Sequence, residues 1–195
     1  MTVRRILIVD DDPIIRMDLK EMLLEEGYEI VGEGKNGEEA LDLCQKHQPD
    51  LILLDVKMPK LNGIKAAKII QQMFPGTAVL LLTAYSHKDL VQEAKKSGVT
   101  AYLVKPVSEE DLIPAIEIAL NQRDLFQCLR KDIQSLKQTL DERKMIERAK
   151  GKIMHHLSLT EEEAYIWMRE KSMSKRVSMA KLSKDILNQL EQVSS

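Results

Sequence analysis

Five short aliphatic runs constrain this chain more than any other feature: residues 5–9, 29–32, 51–54, 78–82 and 101–104 carry no regular alternation of apolar and polar side chains. A strand buried on one face alternates and a strand buried on both does not, so the runs predict a parallel sheet with helices on each side. Amphipathic stretches at 14–25, 37–47, 63–73, 87–97 and 109–122 lie between them, each opened or closed by Gly, Pro, Asp or Ser, and supply the crossover helices. Residues 1–122 therefore read as a doubly wound α/β domain of five parallel strands. Its ligands should gather at the carboxyl ends of those strands.

Beyond residue 120 no strand signal returns. Phe126, Leu129, Ile133, Leu136 and Leu140 recur at alternating spacings of three and four, the seam of a coiled coil. That seam is expected to pair with a second copy of itself, although two to three heptads alone pair weakly. Further on, Thr160 and Glu163 form a capping box, with Leu159 and Ala164 as its hydrophobic staple. Three short helices are predicted at 143–156, 161–173 and 178–191. They turn Ile146, Ala149, Ile153 and Leu157, then Ala164, Trp167 and Met168, then Met179, Leu182, Ile186 and Leu190 toward a small core. The expected division is a first domain over 1–122, a coiled-coil linker helix over 123–143 and an all-α three-helix domain over 144–195.

The net charge of −2 over 195 residues hides an asymmetry. Residues 1–122 hold 14 basic and 20 acidic side chains, whereas 123–195 hold 15 and 11. One part is thus suited to cations or phosphate and the other to a polyanion. Cys44 and Cys128 form no close-spaced pair, and Cys44 with His47 offers too few ligands for a metal. A reducing, cytoplasmic setting is expected. The opening apolar run has a strand's length, so neither a leader nor a membrane span is expected.

Several charged or hydrogen-bonding groups fall at strand ends. Asp10, Asp11 and Asp12 follow the first run, Asp55 the third, Thr83 the fourth and Lys105 the fifth. In a parallel sheet those ends share an edge, so the residues converge. Converging carboxylates repel unless a hard cation joins them, which suits Mg²⁺; lysine and threonine add donors for phosphate oxygens. The set fits phosphoryl transfer to a carboxylate, with Asp55 as the nucleophile.

The motifs Ile-Leu-Ile-Val-Asp10-Asp11-Asp12-Pro, Asp50-Leu-Ile-Leu-Leu-Asp55-Val-Lys-Met58-Pro59-x-x-x-Gly63, Leu-Leu-Thr83-Ala84-Tyr and Tyr102-Leu-Val-Lys105-Pro106 resemble the signature of a CheY-like response-regulator receiver domain. The resemblance implies a flavodoxin-like fold with strand order 2-1-3-4-5. It implies that Asp55 accepts phosphate from a phosphohistidine on a sensor histidine kinase. Asp10, Asp11, Asp55 and the Lys57 backbone carbonyl would hold Mg²⁺. Thr83 and Lys105 would bind the phosphoryl oxygens, Tyr102 would swing inward as Thr83 shifts, and the Lys105–Pro106 bond would be cis. No autonomous enzyme is implied beyond the chain's assistance to its own phosphoryl transfer and dephosphorylation. Gly32, Gly34 and Gly37 also match a dinucleotide-binding pattern, but they follow the second strand, away from the carboxylates. Asn36-Gly37 reads as a turn and helix start instead.

In the tail, a hundred degrees per residue places Lys144, Arg148, Gly151 and His155 on one helical face, with Lys150 and Lys152 adding charge. A basic stripe with a glycine in it lets a phosphate backbone come close. Tyr165 and Arg169 could stack and pair with unpaired bases, and Lys175 and Arg176 add charge. The string Ile146-Glu-Arg-Ala149-Lys150-Gly151-x-Ile-Met154, followed by Leu-Thr-Glu-Glu-Glu-Ala164-Tyr165-x-x-Met168-Arg169, resembles the ANTAR domain. That resemblance implies binding to paired RNA hairpins in leader transcripts and transcription antitermination by a dimer formed on phosphorylation. The layout is similar to that of ethanolamine-utilisation antiterminators, a likeness of domain order alone. A DNA-binding regulator with a helix-turn-helix output, or a protein-interaction output, remains the alternative.

Overall fold

The computed structural model of the chain describes residues 3–84 and 99–193. The helix expected at 87–97 lies outside them, as does the side chain of Leu190. Five parallel strands form one sheet: β1 (Arg5–Val9), β2 (Glu29–Gly34), β3 (Leu51–Asp55), β4 (Ala78–Thr83) and β5 (Ala101–Val104), in the order β2-β1-β3-β4-β5. Helices α1 (Pro13–Glu25), α2 (Gly37–His47) and α3 (Gly63–Met73) follow the first three strands. A single helix α4 then runs from Glu109 to Leu157, followed by α5 (Glu161–Lys175) and α6 (Met179–Val193).

The uniform aliphatic runs are explained by two cores. On one face Leu7, Val9, Ile52, Leu54, Val79 and Leu81 pack against Ala40 and Cys44 of α2 and Ala66, Ala67 and Ile70 of α3. On the other, Ile6, Ile8, Leu51, Leu53, Leu80 and Leu82 pack against Leu19 and Leu23 of α1 and Leu112, Ile116 and Ala119 of α4. Successive residues of one strand thus serve opposite cores, each large aliphatic contributing about 1.5–3 kcal/mol. The edge strand departs from the expectation. In β5, Tyr102 and Val104 are exposed while Ala101 and Leu103 are half-buried. An edge strand has a neighbour on one side only and lies toward the rim of the helix layers.

Caps fix where each helix begins. Asp12 accepts from the Ile14 amide ahead of Pro13, Asn36 accepts from Glu38 and Glu39, and Asn62 accepts from Lys65. Asn36-Gly37 is the expected helix start. Gly32 and Gly34 are packing positions, where an added Cβ would come 3.1–3.3 Å from Leu7, Leu43 and Val9 side chains. At the other end of the sheet Arg123 of α4 bonds the Gly76 carbonyl and pairs with Asp50, and Arg4 pairs with Asp124.

The chain divides into two compact units, Met1–Cys128 and Leu129–Ser195. In the second, Ala149 and Ile153 of α4, Ala164 and Met168 of α5, and Leu182, Ile186 and Leu187 of α6 form the core, with Trp167 and Met179 half-buried beside it. The Thr160–Glu163 capping box is formed. Two expectations fail. The segment 143–156 is not a separate short helix but the end of α4, and the linker 123–143 is its middle, because no glycine or proline interrupts residues 115–150. Leu157 is exposed rather than buried: the helix stops there, Ser158 takes a left-handed φ of 55°, and the periodicity that would turn residue 157 inward ends with it.

Candidate phosphoacceptor site and basic helical surface

Asp10 and Asp55 sit at the carboxyl ends of adjacent strands β1 and β3, both buried. The Asp10 amide donates to the Gly34 carbonyl at 3.1 Å, and its carboxylate accepts from the Asp12 amide at 3.0 Å. The Asp10 carbonyl accepts from the Arg16 guanidinium at 2.7 Å. Asp55 accepts from the Lys57 amide at 2.8 Å. From the end of β5, the Lys105 ammonium reaches both carboxylates, 2.5 Å from Asp10 and 2.6 Å from Asp55. The Lys105 amide donates to the Thr83 carbonyl at 2.8 Å, and the Lys105–Pro106 bond is cis. Thr83 is buried at the end of β4, in register with Val104, while Tyr102 is 43% exposed one layer away.

Burial pushes the Asp55 carboxyl above its ordinary range, and the hydrogen bond and charge of Lys105 oppose that rise. Burial works against the charged form of Lys105 too, yet its bonds to Asp10 and Asp55 outweigh the penalty and hold it above its ordinary value. Oxygens of Asp10, Asp11 and Asp55 lie within 4.8 Å of one another, with Asp11 the exposed member. All are hard oxygen donors, and three carboxylates against one ammonium leave net negative charge, a set that fits Mg²⁺. Among the described residues this is the one such group, and burial pushes the Cys44 thiol up to about 12.

The sequence expectation did not foresee what holds Asp55 in place. At Gly63 a Cβ would stand 2.0 Å from the Asp55 carbonyl oxygen, so the first turn of α3 seats against the Asp55 backbone through the missing side chain. Glycine in the motif signals a close approach, but not which atom approaches.

The basic residues fare differently. Lys144, Arg148, Lys152, Tyr165, Arg169, Lys175 and Arg176 are exposed, as is Gly151. Lys150 is not part of that surface. It is buried, and its ammonium lies 2.7 Å from both Glu147 and Glu161, joining α4 to the first turn of α5. Its Glu147 partner, three residues back, was visible in sequence; Glu161 on another helix was not. A second unforeseen contact sets Lys171 over the Trp167 ring at 5.7 Å. Phe126, Leu129, Ile133, Leu136 and Leu140 lie exposed along α4.

Residues 6–117 match the response regulator receiver domain, and residues 134–187 match the ANTAR domain. Transcriptional regulatory protein PdtaR of Mycobacterium tuberculosis is 44% identical over 189 residues, 96% of this chain and 91% of that protein. Chemotaxis protein CheY of Bacillus subtilis is 36% identical over 117 residues, 60% of this chain and 98% of that protein. Among solved structures, a CheY-like receiver domain protein from Methanospirillum hungatei superposes with a TM-score of 0.60 at 30% identity, over 63% of this chain and 98% of that one. A CheX-CheY-BeF3-Mg complex from Borrelia burgdorferi gives a TM-score of 0.56 at 27% identity, over 58% of this chain and 86% of that one.

Proposed function

Because this chain belongs to the response regulators, with a receiver domain followed by an ANTAR domain, we propose that a cytoplasmic sensor histidine kinase phosphorylates Asp55, that the phosphorylated form pairs along α4, and that paired ANTAR domains bind RNA hairpins and prevent transcription termination. An ionised Asp55 oxygen attacks phosphorus; its P–O bond forms as the P–N bond to the donor imidazole breaks, and the imidazole leaves with the electron pair and takes up a proton. Lys105 opposes the rise that burial imposes on the Asp55 carboxyl and meets the new charge, about −1.5 to −2. Asp10, Asp11, Asp55 and the Lys57 carbonyl would hold Mg²⁺, which neutralises phosphoryl oxygens when bound. Thr83, at the same edge, donates to a phosphoryl oxygen, and Tyr102, half-exposed on β5, moves inward with it. The observation that carries this reading is the Lys105 ammonium held between Asp10 and Asp55.

The RNA half rests on Gly151. It stands exposed within α4, flanked by Arg148 and Lys152, and a Cβ there would meet nothing within 4 Å. A glycine inside a helix costs about 1 kcal/mol against alanine, and here it serves no packing among the described residues. A close approach by an external sugar-phosphate backbone accounts for both facts. Lys144, Arg148, Lys152, Lys175 and Arg176 supply countercharge, and Tyr165 and Arg169 stack on unpaired bases.

The test compares a two-hairpin RNA with duplex DNA of equal length across a salt series, for wild type and Asp55→Ala with kinase and ATP. Expected are phosphate uptake, dimer formation and preferential RNA binding by wild type, all lost in Asp55→Ala. Preference for the duplex would establish the DNA-binding alternative, and indifference to both nucleic acids the protein-interaction one. Phosphate-dependent dimerisation by Asp55→Ala would overturn the mechanism.

A further inference from the structure

The apolar stripe of α4 occupies the first and fourth places of successive heptads, and its five side chains are between 48% and 64% exposed. Its flanks differ in charge. One carries Arg130, Lys137 and Lys144, all basic and exposed; the other carries Leu125, Asp132 and Thr139. Among the described residues Asp132 and Lys137 form no ion pair within the chain, although both are exposed beside the stripe.

Flanking charges decide how two such helices lie. In a parallel, in-register pair each flank position faces the opposite flank five residues later on the other helix. Leu125 then faces Arg130, Asp132 faces Lys137, and Thr139 faces Lys144. That is one attraction on each side of the pair and no repulsion. In an antiparallel pair like flanks meet. Arg130 and Lys137 then lie against the same basic flank of the other copy, whether the pair centres near residue 131 or half a heptad later. Every charged encounter along that flank is repulsive.

We propose that the stripe is covered by a second copy of this chain lying parallel and in register, with Asp132 of each copy against Lys137 of the other. This rests on the reading of α4 as a pairing helix and specifies its partner's direction. A parallel arrangement brings the two carboxyl ends of α4, each with its Arg148–Gly151–Lys152 surface, to the same end of the paired helices. Two adjacent hairpins can then be engaged at once, which raises the effective concentration at the second site.

The experiment uses the full chain with Mg²⁺ and beryllofluoride in place of the phosphoryl group, and measures dimer affinity by sedimentation. Asp132→Lys and Lys137→Asp should each weaken the dimer roughly ten-fold, because two exposed attractions become repulsions. Mixing the two variants should restore wild-type affinity as a heterodimer, since both cross-pairs are attractive again. An antiparallel pair gives the opposite result for Lys137→Asp, which would then face the basic flank of the other copy and dimerise more tightly. That outcome, or variants indistinguishable from wild type, overturns the parallel assignment. A wild type that stays monomeric overturns the pairing reading itself.

Discussion

Two glycines separate the two ends of this molecule. Gly63 is sealed: a methyl group there would collide with the Asp55 carbonyl. Gly151 is open: a methyl group there would touch none of the described residues. The carboxylate edge is tightly held within the chain, with Asp10 fixed through its amide, carbonyl and carboxylate, and Lys105 on both acids. The basic helical surface is unfinished, its cations facing solvent. Chemistry on a transferring group needs donors fixed in advance, whereas a surface that recognises a polyanion can take its shape from the ligand.

The same substitution at both glycines gives the sharpest test of that contrast. Gly63→Ala should destabilise the receiver by about 3 kcal/mol or more, read by denaturant unfolding, because backbone rather than a yielding side chain blocks the methyl. Gly151→Ala should stabilise the second unit by about 1 kcal/mol while weakening RNA binding. Opposite signs for stability and affinity in one variant cannot come from damage to the fold. Equal RNA affinity in a stabilised Gly151→Ala would remove the close approach. Thr160→Ala, which deletes half of the capping box, should cost the second unit about 1 kcal/mol in thermal unfolding.

The smallest effect is a pH dependence in the second unit. Hydrogen bonds from Lys150 hold Glu161 below its ordinary value, and bonds from Thr160 do the same for Glu163. A depressed carboxyl contributes stability that is complete above its unfolded pKa and lost as pH falls through the folded one. Thermal unfolding should therefore show the second unit weakening on the acid side of the ordinary glutamate range. Glu163→Gln should flatten that slope; an unchanged slope in Glu161→Gln and Glu163→Gln together would assign it elsewhere.

Reading the chain alone placed most of the first unit, because its signals are local. The uniform strands and the caps at Asn36 and Asn62 bring α2 and α3 to their expected bounds. Strands β2, β3 and β4 run one or two residues farther than expected, through polar or small residues that still pair in the sheet. The convergence of Asp10, Asp55 and Lys105 was legible because parallel topology dictates it. What escaped depends on distant partners. Lys150 looks like a surface cation until Glu161 arrives from the next helix, and the exposure of Tyr102 follows from the edge place of β5, not from its own aliphatic run. The merged α4 escaped for another reason: a change of role along a helix, from packing to seam to basic face, leaves no breaker in the sequence.

The uninterrupted course of α4 also makes its length a matter of arithmetic. A helix turns about 100° with each residue, so one residue inserted between Leu129 and Ile133 would throw every later seam side chain a quarter-turn and more out of line. Adding or removing seven returns the stripe almost to its original bearing. Under the proposed pairing, substitutions on the outer face of α4 are cheap, single-residue insertions are not, and whole heptads are the unit by which the paired helix can lengthen.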